Sequence, residues 1–244
     1  MTDLDLLRLQ LASAFVLDDA GRIVCTNDPG RSPGPRFVLA GCPAGNVRCF
    51  HRDVPAALVH EIARLVETEP PLAAYGQQPL HRDTYLKLLS HDAKVAKVST
   101  GLLWHLPNGL ARTNDAAIVR SDTDEGDALL WRLQREGMPS ALREMGFGDV
   151  EEFWPPWCAV IRDGEIASLA FAARLGCAAA DLGLVTVPAF RGRGFGAAAT
   201  AAWAGHPALA GRTLFYGTGL GNLSSQRVAA RLGLRFIGST CTVG

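Results

Sequence analysis

The segment Val185-Thr186-Val187-Pro188-Ala189-Phe190-Arg191-Gly192-Arg193-Gly194-Phe195-Gly196 decides how this chain is read. An apolar, β-branched run passes into a turn rich in glycine and arginine. A run of small residues follows, Ala197-Ala198-Ala199-Thr200-Ala201-Ala202-Trp203, which suits a helix. Strand, glycine turn and helix start in that order make an anion site. The first helical turn leaves backbone N–H groups free, and the helix dipole adds partial positive charge there. Glycines let the backbone bend and approach a ligand closely. Arg191 and Arg193 add fixed charge and forked donors suited to phosphate oxygens.

Composition narrows the rest. The chain has 244 residues, 48% hydrophobic and 20% charged, enough for a sizeable core. Formal net charge is +0 and no basic run stands out, which argues against sequence-independent nucleic-acid binding. Three of the 24 basic residues, Lys87, Lys94 and Lys97, are lysines. No apolar stretch approaches a membrane span, and the first residues lack the pattern of a secretory leader. Six cysteines, none in a Cys-x-x-Cys pair, read as free thiols in a reducing cytoplasm. Cys49-Phe50-His51 lacks a complete ligand set, so no metal is expected.

Along the chain, a helix is expected over Leu4–Ala12 and a hairpin around Asp18-Asp19-Ala20-Gly21. Arg36–Ala40 and Val47–His51 read as strands. Asp53 is a candidate N-cap, with Pro55 in the first turn, for a helix to Glu67. A further helix is expected from Asp83 to Ala96. Leu106-Pro107-Asn108-Gly109 and Arg112–Asp115 read as a linker. The expected fold is therefore mixed α/β in two parts, a smaller α/β unit over 1–110 and a second over 111–244. The second part reads strand 116–120, helix 124–135 capped by Asp122 or Thr123, short helix 140–145, and strands 157–162 and 165–174 about Asp163-Gly164. Then come strand 181–187, the glycine loop and its helix, strand 213–217, helix 224–232 ended by Gly233, and strand 234–239.

The glycine spacing is neither the Rossmann pattern nor a P-loop, so the loop alone names no ligand. A second segment does more: Asn222-Leu223-Ser224-Ser225-Gln226-Arg227-Val228-Ala229-Ala230-Arg231-Leu232-Gly233-Leu234. Arg191, Gly194 and Gly196 fit Arg/Gln-x-x-Gly-x-Gly/Ala. Asn222, Ser225, Val228, Gly233 and Leu234 fit Asn-x-x-Ser/Ala-x-x-Val/Leu-x-x-x-x-Gly-Phe/Leu. In register, the two segments resemble the GNAT superfamily of acetyl-CoA-dependent N-acetyltransferases. The resemblance covers about 116–244, and the first half resembles an N-terminal extension of a bacterial subgroup.

The resemblance implies a GNAT-like fold for the second half and acetyl-CoA as co-substrate. Backbone groups of Val185, Thr186 and Val187 would meet the pantetheine arm as an added strand would. Amides of Arg191, Gly192, Arg193, Gly194, Phe195 and Gly196 would hold the pyrophosphate, and Asn222 would touch the pantetheine. Arg227 and Arg231 read either as phosphate contacts or as a solvated helix face. Transfer to an amine needs a proton acceptor, an oxyanion stabiliser and a donor to the thiolate. Asp181 stands where some relatives place a strand carboxylate, and Gly183 two residues on leaves room beside it; Glu165 is the weaker alternative. A solvated strand-end residue is the plain reading of Asp181.

The chain departs from the family twice. Many relatives place a tyrosine where this chain has Ala229, so Ser225 is the candidate donor to the thiolate; its plain reading is a serine bonded to its own helix. By alternation, Phe215 or Tyr216 faces the cleft, not both. Many relatives also end in a β-hairpin that this chain lacks after its last strand. The first half or a second subunit, as in a homodimer, would complete that sheet edge. Phe153, Trp154 and Trp157 read as cleft wall or as core. The expected activity is acetyl transfer from acetyl-CoA to the primary amine of a small molecule or a peptide N-terminus, by direct attack. The alternative is a CoA-binding regulatory protein without turnover.

Overall fold

The computed structural model describes residues 1–92, 97–111 and 115–244. In chain order its elements are α1 (Asp3–Ala14), β1 (Phe15–Leu17), β2 (Ile23–Thr26), β3 (Phe37–Cys42), β4 (Gly45–Phe50), α2 (Ala56–Glu67) and α3 (Arg82–Asp92). Next come β5 (Val98–Leu106), β6 (Ala117–Arg120), α4 (Asp124–Glu136), α5 (Ser140–Arg143), β7 (Trp157–Arg162) and β8 (Glu165–Leu175). The chain ends with β9 (Ala179–Thr186), α6 (Phe195–Ala204), β10 (Thr213–Gly219), α7 (Leu223–Arg231) and β11 (Arg235–Val243). No described helix is long and apolar enough to cross a membrane.

Local chemistry explains many boundaries. Thr2 and Asp5 form a reciprocal capping box at the start of α1. Thr123 Oγ1 accepts the Gly126 N–H, 3.2 Å away, and starts α4. Asp163 (φ 53°) and Gly164 (φ 80°) turn β7 into β8 with the twist a two-residue hairpin requires. Asp53 does not cap α2 as expected. The N-cap position belongs to Pro55, without a side-chain cap, and Asp53 Oδ2 lies 3.4 Å from His51 Nδ1 instead. The expected helix tail 93–96 and linker residues 112–114 lie outside the described residues.

Among the described residues, nine strands form one sheet in the order β4-β3-β11-β5-β10-β9-β8-β7-β6, and β1 and β2 form a separate hairpin. Every neighbouring pair in the large sheet is antiparallel except β9 and β10. The sequence suggests a smaller α/β unit over 1–110. Instead β3, β4 and β5, all from 1–110, are hydrogen-bonded into the sheet of 111–244.

The decisive element is one the sequence reading places nowhere. β5 lies between β10 and β11, with Tyr216 opposite Trp104 on one side and Phe236 opposite Trp104 on the other. The run Leu102-Leu103-Trp104 is buried on both faces, so it shows no alternation to mark a strand. The first half of the chain thus fills the edge beside β10, and it also lets β11 run to Val243 with a partner on each side.

Candidate functional site

β9 and β10 keep register over Ala179–Asp181 and Thr213–Phe215, and then part. Each continues alone on its inner edge: β9 to Thr186 and β10 to Gly219. Their outer edges stay paired, Thr186 with Ser168 on β8 and Gly219 with Gly101 on β5. The result is a wedge-shaped gap in the sheet with an open backbone edge. The Val187 N–H donates to Ala167 C=O at 3.0 Å, and Val185 C=O accepts the Ser168 hydroxyl at 2.7 Å. Antiparallel pairing engages alternate residues, so Leu184 and Thr186 turn their backbone groups into the gap. Of the three expected edge residues, Val185 and Val187 therefore face β8 and Thr186 faces the gap.

Past Thr186, a single helical turn over Pro188–Phe190 leads into the glycine loop. Gly192 (φ 77°) and Gly194 (φ 85°) both adopt the left-handed region, and open space surrounds the position a Cβ would take at Gly192. Gly194 is the N-cap of α6 and offers no side chain to its first-turn N–H groups. Those donors point outward from the loop, uncapped. Arg191 Nε donates to Thr186 C=O at 3.2 Å and ties the loop to the strand end. The Arg193 guanidinium lies 5.9 Å from the Phe190 ring centre, which in turn meets Phe195 edge-on. At Gly196, a Cβ would stand 3.1 Å from Thr186 Oγ1 and 3.4 Å from Val228 Cγ2, so glycine is what lets β9, α6 and α7 pack together.

Two chambers open along this loop. The larger, about 460 Å³, is lined by Thr186, by the loop from Phe190 to Ala197 apart from Arg193, and by Ser224, Arg227, Val228 and Arg231 of α7. The smaller, about 240 Å³, is lined by Met145, Leu184, Val185, Thr186, Arg191, Asn222, Ser224, Ser225 and Val228. Shared walls at Thr186, Arg191, Ser224 and Val228 make them one cleft. Arg227 and Arg231 stand on the wall of the chamber into which the helix start opens. The residue types fit a polyphosphate followed by a thin amide-bearing chain: uncapped N–H donors and three arginines at one end, a free strand edge at the other.

Asn222 caps α7 through Oδ1, which accepts the Ser225 N–H at 3.1 Å. The Ser225 hydroxyl has no hydrogen bond among the described residues; it lines the smaller chamber. Its carbonyl accepts the Tyr216 hydroxyl at 3.1 Å. Tyr216 is buried, and burial pushes its phenol up to about 12. Phe215 is buried on the opposite face, among Leu6 and Leu7 of α1. Neither ring of that pair opens onto the cleft. Ala229 is also buried and brings no hydroxyl.

Asp181 sits at the closed end of the wedge, not in the lining of either chamber. Its Oδ2 accepts from Gln10 Nε2 of α1 at 3.1 Å, and its Oδ1 is buried without a partner. Burial pushes the carboxyl up to about 7, against the opposing effects of Gln10 and the Arg174 charge. It is not a solvated strand-end residue. The room expected above Gly183 is filled: a Cβ there would fall 2.4 Å from Phe171 Cζ. Phe147 and Trp154 brace that ring edge-on. Phe153 and Trp157 belong to the core, whereas Trp154 stays half-buried beside Phe171. Glu165 is exposed at the start of β8 and lines neither chamber. No group of three or more His, Cys, Asp or Glu suited to a metal occurs among the described residues.

Sequence reasoning missed Gln10, Arg174 and Phe171 around Asp181. Gln10 is far away in the chain and is brought in by the packing of α1 on β9, while Arg174 and Phe171 are placed by the β8–β9 register.

No family model matches this chain, and no curated protein does. Among solved structures, it is similar to an acetyltransferase from the GNAT family of Colwellia psychrerythraea, at 16% identity and a TM-score of 0.45 over 99% of this chain and 96% of the other. It is also similar to a GCN5-related N-acetyltransferase from Kribbella flavida, at 15% identity and 0.43, covering 65% of this chain and 62% of that one, under two thirds of its length. A GCN5-related N-acetyltransferase-like protein from Streptococcus suis gives 16% identity and 0.41 over 88% and 85%.

Proposed function

We propose that this chain is a GNAT-type N-acyltransferase that takes acetyl-CoA and acetylates a primary amine on a small molecule or a peptide N-terminus. The observation that carries the reading is the cleft itself: a strand edge left free where β9 and β10 diverge, running straight into an uncapped helix start walled by Arg191, Arg227 and Arg231. A generic anion site needs the helix start alone; the free edge beside it suits an extended, amide-bearing chain attached to the phosphates.

In this reading the backbone of Leu184 and Thr186 holds the pantetheine, and the first-turn amides of α6 hold the pyrophosphate. Asp181 takes the proton released from the amine through intervening water, which would complete the bonding of Oδ1. A carboxyl held near 7 is matched to that task at neutral pH. Ser225 offers its unengaged hydroxyl to the leaving thiolate. Among the described residues no cysteine or serine is paired with a histidine in the cleft lining, so direct attack is the simplest course.

The test is CoA-thiol release from acetyl-CoA in the presence of a panel of primary amines, together with the thermal shift produced by CoA. Stabilisation by CoA and thiol release that falls in Asp181→Asn are expected. No shift at millimolar CoA overturns the reading. Ala229 and the Phe171 ring above Gly183 favour a second reading, a CoA-binding regulator without turnover. Stabilisation by CoA with no thiol release from any amine would select it.

A further inference from the structure

Asp181 is enclosed by three elements besides its own strand. From α1, Gln10 donates to Oδ2. The charged residues earlier on that helix are engaged elsewhere: Asp5 pairs with Arg8 at the surface, and Asp3 pairs with Arg235. From β10, the register partner is apolar Phe215. From β8, the register partner is Arg174. That guanidinium makes its ion pair elsewhere: its Nη2 lies 3.5 Å from Oδ2 of Asp28, which follows β2. Asp28 is 6% exposed and anchored by the Thr26 hydroxyl and the Ser32 N–H. Arg212, near the start of β9, is tied to the carbonyls of Gly176 and Ala208. Asp181 is thus left with one neutral donor, one buried bare oxygen and a cation engaged by another carboxylate.

We propose that the first half of the chain sets how firmly Asp181 holds its proton, through two positioning residues that never enter the CoA cleft. Gln10 fixes Oδ2 and favours the ionised form. Asp28 draws Arg174 into its own ion pair and so withholds from Asp181 a full counter-charge. The two act in opposite directions on one carboxyl. Its use in catalysis rests on the proton-acceptor reading above; the assignment of Gln10 and Asp28 does not.

The experiment is a pH titration of the full chain labelled with ¹³C at the aspartate carboxyls, read by NMR. Asp181→Asn identifies the signal by removing it. In Gln10→Leu the midpoint rises by about half a unit or more, roughly threefold in acidity. Arg174→Gln also raises it. Asp28→Asn lowers it, as Arg174 is released toward Asp181. If the last variant does not fold, the first two carry the test. A midpoint that stays put in folded Gln10→Leu and Arg174→Gln overturns the proposal, even if both lose thermal stability. Amine-dependent thiol release is assayed in parallel. Undiminished release in Asp181→Asn with the midpoints moving as stated would overturn the proton-acceptor reading and leave this one standing.

Discussion

Asp181 and Phe215 are the last residues of β9 and β10 to face each other in register; beyond them the strands separate. The carboxyl therefore sits where the gap closes, and the glycine loop sits where it is widest. In the proposed function, cofactor grip and proton affinity fall at opposite ends of one strand, and each can be tested without disturbing the other.

Gly194→Val is expected to abolish stabilisation by CoA. A β-branched residue at φ 85° costs about 1–2 kcal/mol and puts a side chain at the mouth of the α6 start. Differential scanning fluorimetry with and without CoA checks this, with circular dichroism confirming that the fold persists.

Asp181→Asn is expected to alter the pH dependence of stability. The carboxyl stands at about 7 in the fold against 3.8 ordinarily, so the folded chain keeps a proton that the unfolded chain has released. The sign follows: the wild type loses stability as pH rises from about 4 to about 7, on the order of a few kcal/mol, and changes little beyond. The melting temperature of the asparagine variant should gain on the wild type across that window and run parallel above it.

Ser225→Ala removes a hydroxyl that has no hydrogen bond among the described residues. Its expected effect is a roughly hundredfold lower kcat with unchanged CoA affinity, the lower end of what a positioned proton-transfer group contributes. Equal kcat values would remove Ser225 from the chemistry.

Tyr75 reaches across from the first half to α7: its hydroxyl donates to Gln226 Oε1 at 2.7 Å, and its ring meets Trp104 and Phe236. Gln226 lies between Ser225 and Arg227, which line the cleft. Tyr75→Phe is expected to cost ~0.5–1.5 kcal/mol of stability and weaken CoA binding a few-fold, measured by calorimetry.

Residues 111–244 expressed alone should not fold. Without β5, both β10 and β11 lose the neighbour between them, along with the buried Trp104 side chain. Within the full chain, Trp104→Ala is expected to cost about 3–5 kcal/mol and lower a single unfolding transition. Two separate transitions would argue for independent halves.

The loop and helix starts were legible because their causes are local. Glycine at positive φ, a threonine cap and the small residues of α6 act over a few neighbours, so the strand–loop–helix at 185–204 and a cap at Asp122 or Thr123 could be read directly. The same holds for the Asp163-Gly164 hairpin. Most of the cleft wall lies in the segments 185–204 and 222–234, with Met145 and Leu184 added from outside them. What the sequence could not show was any pairing at long range. β5 is apolar on both faces and carries no period, so its place between β10 and β11 exists only in the assembled sheet. Gly183 read as open space because an absent side chain says nothing of its neighbour; the β8 register put Phe171 there. Asp181 read as a solvated or catalytic carboxylate with equal ease. Its burial, its bond to Gln10 and its distance from the chamber linings come from α1 folding back onto β9, which tertiary packing alone decides.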